Sequence, residues 1–195
     1  MPGSLFQVMT QLNVVAYHHD RPTLKRLKEV TPSYWYQHLH LDIRRSAIGL
    51  FMVEVLRNVL SQAEPYPLLF DDIIAKFIRL DEMDTDFTTF LYRFLLDLSA
   101  FLGFQPGGFY SQECPFFDMR EGLFVREPPD HPQYLLGEKS QYLGWLLDQI
   151  PPPPAEQLHQ TGKIMLHEFM TYYRVHIDQF REPHSQEILR QVFAI

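Results

Sequence analysis

The chain has 195 residues, enough for one well-buried core and a fragment of a second unit, and its 46% hydrophobic and 21% charged content excludes a disordered chain. A formal net charge of −7 excludes a protein whose whole surface is built for nucleic acid. Cys114 is the only cysteine, which excludes an intrachain disulfide and a cysteine zinc cluster and favours a reducing, cytoplasmic setting. No apolar run reaches the roughly 20 residues that span a bilayer, and Met1-Pro2-Gly3-Ser4 leads into no h-region, so neither export nor membrane anchoring is expected.

The charge is unevenly distributed. Residues 1–60 hold seven Lys or Arg against four acids, an excess of +3, which leaves −10 for residues 61–195. A polyanion would therefore meet the first third of the chain, with the acidic remainder serving solubility or protein partners.

In chain order, Leu5 to Tyr17 nearly alternates apolar and polar residues and predicts a strand. A polar turn with Pro22 follows, and Thr23 to Val30 predicts a second strand paired with the first. Two strands alone are marginal in water, so this pair calls for more sheet than the chain supplies. Asp42 is a suitable N-cap for a largely buried helix from Ile43 to about Gln62. Pro65 and Pro67 break it, and Leu68 to Leu80 predicts an amphipathic helix. Between Asp84 and Leu102, Phe87, Phe90, Leu91, Phe94, Leu95, Leu98 and Leu102 recur at helical spacing, with Gly103 as the terminator.

Residues 104–133 are punctuated by Gly and Pro, and Phe116-Phe117-Asp118 with Leu123-Phe124-Val125 read as a short hairpin. Helices are predicted again from Glu138 to Ile150, from Ala155 to about Phe180, and from Ser185 to Phe193, with the prolines 151–154 between the first two.

Taken together, these segments resemble the RecO family of bacterial DNA-repair mediators. The strand pair Leu12 to His18 and Leu24 to Glu29 is similar to the last strands of the family's OB-fold barrel. Asp42-Ile43-Arg44-Arg45-Ser46, Phe101 to Phe104 with Pro106, Phe117-Asp118 with Glu121-Gly122 and Phe124, and Ser185 to Arg190 follow in the order of the Bacteroidetes branch. Each motif is weak alone; their co-linear order over essentially the whole chain is specific. The resemblance implies a mainly α fold: a helical bundle with a small β-hairpin insertion near 104–133, occupying residues 32–195. Residues 1–31 would be two to three strands left from a barrel that needs five to close, so that most of the amino-terminal barrel is missing. Many relatives fold a four-cysteine zinc module where this chain keeps only Cys114, so Phe109, Tyr110, Phe116, Phe117 and Phe124 are expected to hold the hairpin by packing.

The resemblance further implies a non-enzymatic factor without cofactor or metal. It would bind single- and double-stranded DNA, anneal strands, cooperate with a RecR-like protein and engage the acidic tail of single-stranded DNA-binding protein to load recombinase. Lys25, Arg26, Lys28, Arg44 and Arg45 are the candidate DNA contacts; Arg44, Arg45 and Arg57 are the candidate cations for the tail. Blander readings stand beside these. Lys25, Arg26 and Lys28 also suit a charge-protected edge strand. Arg44 and Arg45 sit in the first turn of a helix, where cations oppose the macrodipole, and either pair with a carboxylate or receive an anion. Tyr34, Trp35 and Tyr36 suit base stacking or burial at the junction of strands and helices.

His18-His19, His38-x-His40, and His167-Glu168 with His176 and Asp178 invite a metal-dependent hydrolase, but His167 and His176 fall on opposite sides of a helix and no HExxH, GxSxG or phosphate-loop pattern occurs. The competing class is an acidic helical protein-interaction module that never touches DNA. Metal analysis of the purified protein is expected to find no stoichiometric zinc; one zinc per chain would overturn the packing account of residues 104–133.

Overall fold

The computed structural model describes residues 3–17, 26–60 and 65–193. A 3-10 turn (Gly3–Phe6) leads to an antiparallel pair, β1 (Leu12–Ala16) and β2 (Leu27–Pro32). Then come α1 (Ile43–Val59), α2 (Pro67–Glu82) and α3 (Phe87–Phe101). A small sheet follows, formed by β3 (Phe116–Asp118), β4 (Leu123–Val125) and β5 (Tyr134–Leu135) in the order β4-β3-β5. Helices α4 (Glu138–Leu146), α5 (Ala155–His176) and α6 (Ser185–Phe193) complete the described chain. The architecture is mainly α with a hairpin insertion and a preceding strand pair, as the sequence predicts.

Strand β1 is shorter than expected because the chain turns first. Thr10 N–H donates to Gln7 O at 3.1 Å and Met9 takes a left-handed φ of 69°, which no strand accommodates. The Met9 thioether then lies on α1 at Gly49, where a Cβ would collide with it. In the ladder Val15 pairs with Glu29 and Ala16 with Leu27, so a bulge leaves Lys28 unpaired between them. The expected start of the second strand, Lys25 included, lies outside the described residues.

Helix α3 runs through the core with Phe90, Leu91, Tyr92, Phe94, Leu95 and Leu98 all buried. Two tyrosines fasten it to α5: Tyr92 Oη donates to Gly162 O at 2.5 Å and Tyr173 Oη to Leu95 O at 2.6 Å. Burial pushes both phenols far up, so they remain donors at any ordinary pH. Helix α4 stops at Leu146, short of Ile150, where Asp148 takes a φ of 57° and forms a two-pronged ion pair with Arg93 of α3. Helix α5 likewise ends at His176 because Ile177 is extended.

The hairpin is held by rings, with one exception to the expected set. Phe117 meets Phe124 edge-on at 5.1 Å, Tyr110 meets Phe124 at 5.9 Å, and Phe116 meets Tyr134 of β5 at 6.0 Å. Phe109 does not take part: it is 80% exposed. Asp118 shapes the turn by accepting the N–H groups of Arg120 and Glu121, and Gly122 supplies the left-handed φ of 68° that closes it.

Three side chains fix how α1 sits in the bundle. Arg45 is buried and donates from Nε to Leu80 O at 3.2 Å and from Nη2 to Met83 O, with Asp42 and Asp84 as its counter-ions. It thereby satisfies the last carbonyls of α2. In return Asp81, near the end of α2, accepts the backbone N–H groups of Gln37, His38 and Leu39 at 2.9, 2.7 and 2.6 Å. Burial pushes this carboxyl up, but the three donors and the nearby His38 outweigh that and hold it below the ordinary carboxylate range. On the other side of α1, Glu54 accepts Ser185 Oγ–H and the N–H groups of His184 and Ser185, capping α6 from outside.

Arg45→Met should cost about 3 kcal/mol of unfolding free energy, since it strands the Leu80 and Met83 carbonyls inside the fold; denaturant titration measures this. Asp81→Ala should cost about as much. Because its folded pKa is lowered, the contribution of Asp81 is fully present above about pH 4 and is lost as pH falls through the lower folded value. The parent should therefore lose stability on acidification more steeply than Asp81→Ala.

Candidate functional site

The basic strand lies open. Arg26, just before β2, and Lys28 on β2 are exposed, and among the described residues neither has a carboxylate partner. Lys25 belongs to the segment outside the described residues. The aromatic triplet that follows divides by role. Tyr36 accepts the Gln11 side-chain N–H at 2.6 Å, packs against Tyr34 and His40, and has its phenol pushed up to about 12, chiefly by burial. It ties the strand pair to the helices. Trp35 is 72% exposed and presents an open ring.

Arg44 and Arg45 are adjacent in sequence but separated by function. The Arg45 guanidinium is consumed inside the fold by Leu80 O, Met83 O, Asp42 and Asp84, which removes it from any outside anion. This corrects its place among the candidate DNA and tail contacts. Arg44 remains half-exposed, lies over the Phe87 ring at 4.9 Å and contacts Asp42 at 3.2 Å. Asp42 itself is the N-cap, accepting from Arg44 and Arg45 N–H at 2.8 and 3.1 Å.

Arg57 borders a groove of about 610 Å³ between the strand pair, α1 and α2. Leu12, Val53, Leu56, Phe70, Ile73 and Phe77 supply apolar wall, and among the described residues Arg57 is the one charged side chain lining it. An apolar groove with a single cation at its border, in a chain of net charge −7, is complementary to a segment carrying both apolar and acidic groups.

Two further clefts were not legible in the sequence. One, of about 570 Å³, contains Lys76, Arg79 and Arg93. Lys76 bridges Asp72 and Asp97 at 2.9 and 2.8 Å and Arg93 is paired with Asp148, which leaves Arg79 over the Phe90 ring at 6.0 Å. The other, of about 410 Å³, brings Lys163 and His159 of α5 opposite Arg44. The i, i+4 spacing of residues 159 and 163 puts them on one helix face, but only the fold brings that face to α1.

Two of the candidate metal histidines are engaged elsewhere. His38 Nδ1 contacts Asp81 O at 3.2 Å, and His176 Nε2 contacts Met119 O at 2.8 Å while its ring stacks on Phe104. Glu168 is paired with Lys139 at 2.6 Å. His18 and His19 lie outside the described residues. Among the described residues no three His, Cys, Asp or Glu side chains converge as a ligand set.

A strand pair flanked by unpaired cations packs through Tyr36 onto a bundle that carries an apolar groove. Residues 40–115 match the family model of the recombination protein O C-terminal region. The DNA repair protein RecO of Flavobacterium psychrophilum is 32% identical over 192 residues, covering 97% of this chain and 79% of the relative. That of Christiangramia forsetii is 31% identical over 198 residues, covering 98% and 80%. That of Phocaeicola vulgatus is 28% identical over 194 residues, covering 97% and 80%. The chain belongs to the RecO family.

Proposed function

We propose that this chain acts in DNA repair as a mediator without catalytic activity of its own. It holds DNA through the basic strand, engages the acidic tail of single-stranded DNA-binding protein, and works with a RecR-like protein to anneal strands and load recombinase. Family membership over nearly the whole chain is the observation that carries this reading. Residues 1–31 serve as the last strands of an OB-fold barrel and residues 32–195 as the helical domain. Arg26, Lys28 and the neighbouring Lys25 take phosphates, with Arg44 as a further cation, and Trp35 offers a stacking ring. Arg57 and its groove receive the tail, whose carboxylates would pair with the guanidinium while apolar side chains enter between α1 and α2. Arg44 is the next candidate for the tail.

A second reading, an acidic protein-interaction module that does not bind DNA, draws support from the −10 charge of residues 61–195. Salt dependence separates the two. If the mediator reading holds, log K for single-stranded DNA falls against log salt by about 0.7 per phosphate neutralised. Replacing Lys25, Arg26 and Lys28 with Glu should flatten that slope and weaken binding without changing the thermal midpoint. A triple variant that binds as tightly as the parent at equal salt would remove the strand from the interface. For the tail, an acidic peptide from single-stranded DNA-binding protein should bind saturably, and Arg57→Glu should weaken it roughly tenfold or more, the scale of a lost charge-assisted contact. Unchanged binding by that variant would exclude the groove.

A further inference from the structure

We infer that Met9 is an oxidation site, and that conversion of its thioether to the sulfoxide by a peroxide releases the β1–β2 pair from the helices. The inference does not rest on what the strand pair or the Arg57 groove binds.

Strands β1 and β2 themselves make few contacts with the helical bundle. The chain on either side of them provides the attachment: Tyr36 accepts the Gln11 side-chain N–H at 2.6 Å, and Met9 reaches α1. Met9 has a left-handed φ of 69°, which a residue with a side chain keeps only where its surroundings enforce it. The thioether contact supplies that enforcement. Its Sδ lies on the bare backbone of Gly49, where a Cβ would overlap it and would also touch Phe77 and Leu39. Both of those side chains are buried and apolar. An unbranched, polarizable side chain suits this slot. A sulfoxide does not: its oxygen is a strong acceptor, Phe77 and Leu39 have no donor to offer, and the Gly49 N–H is committed within α1.

Access to the sulfur comes from the groove side. Among the described methionines Met52, Met119, Met165 and Met170 are buried, whereas Met9 and Met83 are partly exposed. Met9 also lines the open groove of about 610 Å³ beside Arg57, so a small oxidant meets it from solvent. Met83 gives its backbone carbonyl to Arg45 and serves as the internal control. In the reaction a lone pair of Sδ attacks one oxygen of hydrogen peroxide. The S–O bond forms as the O–O bond breaks, the departing hydroxide takes the proton from the new S–OH and leaves as water, and sulfur loses the two electrons that the peroxide gains. Two thiols of a sulfoxide reductase reverse the step, becoming a disulfide while the oxygen leaves as water. Once the sulfur is oxidised the left-handed turn loses its support and the chain ahead of β1 leaves α1. Residues 9–13 form one wall of the groove, so the groove opens at the same time.

The test treats the full chain with hydrogen peroxide and follows it by peptide mass spectrometry and amide hydrogen exchange. One oxygen should add at Met9 while the four buried methionines stay reduced. Exchange of the β1 and β2 amides should accelerate roughly tenfold, the scale of one unsatisfied polar group, with α3 and α5 unchanged. Met9→Leu keeps the apolar contact without the sulfur and should hold the parent's slow exchange with or without peroxide. Met9→Gln places an amide oxygen near the sulfoxide's position and should show the fast exchange with no oxidant present. Met83→Leu should respond as the parent does, and methionine sulfoxide reductase with a thiol should return the oxidised parent to slow exchange.

Met9 that stays reduced until the helices unfold would overturn the assignment of the site. Oxidised Met9 with unchanged strand exchange would overturn the release, as would Met9→Leu strands that loosen under peroxide like the parent's. Strands that already exchange freely in the reduced parent leave nothing to release and overturn it too. Loosening that Met83→Leu abolishes would move the switch to the end of α2, against the proposal.

Discussion

The arrangement of this bundle depends on a reciprocal exchange between α1 and α2. Arg45 opens α1, where a cation opposes the helix dipole, and Asp81 nearly closes α2, where an anion does the same. Each is unfavourable in its own helix and favourable in its neighbour's setting. Arg45 meets the free carbonyls of Leu80 and Met83, and Asp81 meets the free N–H groups of Gln37, His38 and Leu39. Both are buried, so the alternative to these bonds is not water but an unsatisfied group. The exchange therefore sets the spacing of α1 and α2, and with it the groove that Arg57 borders. It also fixes the 37–39 segment, which carries Tyr36 and hence the strand pair.

Glu54 extends the same logic to the other end of the chain. A helix as short as α6 is marginal alone. Here a carboxylate from α1 satisfies its first N–H groups, and Asn58 donates to Arg181 O at 2.9 Å just before it. Burial pushes the Glu54 carboxyl up, and the bonds from Ser185 and His184 more than reverse this. Helix α1 is thus the hub whose polar residues hold α2 on one side and α6 on the other, while Ile48, Phe51, Met52 and Val55 enter the core.

What was legible in the sequence followed local rules. The apolar period of α3, the Asp42 cap, the start of α6 at Ser185 and the glycines 103 and 122 are each decided within a few residues, and each stands in the structure where periodicity and turn chemistry put it. The failures are equally instructive. Alternation predicted a strand from Leu5, but the contact of Met9 with α1 at Gly49 is tertiary and bends the chain before Leu12. Strand β5 has only two residues, too few for a period, and exists because Phe117 and Asp118 have a free edge for Leu135 and Tyr134. The division of labour between Arg44 and Arg45 depends on one being rotated toward α2, which no local pattern encodes.

Charge ties these observations together. At physiological salt an exposed charge is screened within roughly 8 Å, so the −10 of residues 61–195 does not by itself forbid contact with a polyanion. It restricts contact to places where cations are local and acids are absent or occupied. On the acidic side of the molecule most cations are consumed: Lys76 by two aspartates, Arg93 by Asp148, Lys139 by Glu168 and Arg174 by Glu182. Among the described residues Arg26 and Lys28 at β2, Arg57 at the groove, and Arg79, Arg120, Lys163 and Arg181 have no carboxylate partner. The paired cations build the fold, and on the proposed DNA-binding reading the unpaired ones are the candidates to meet an anionic partner.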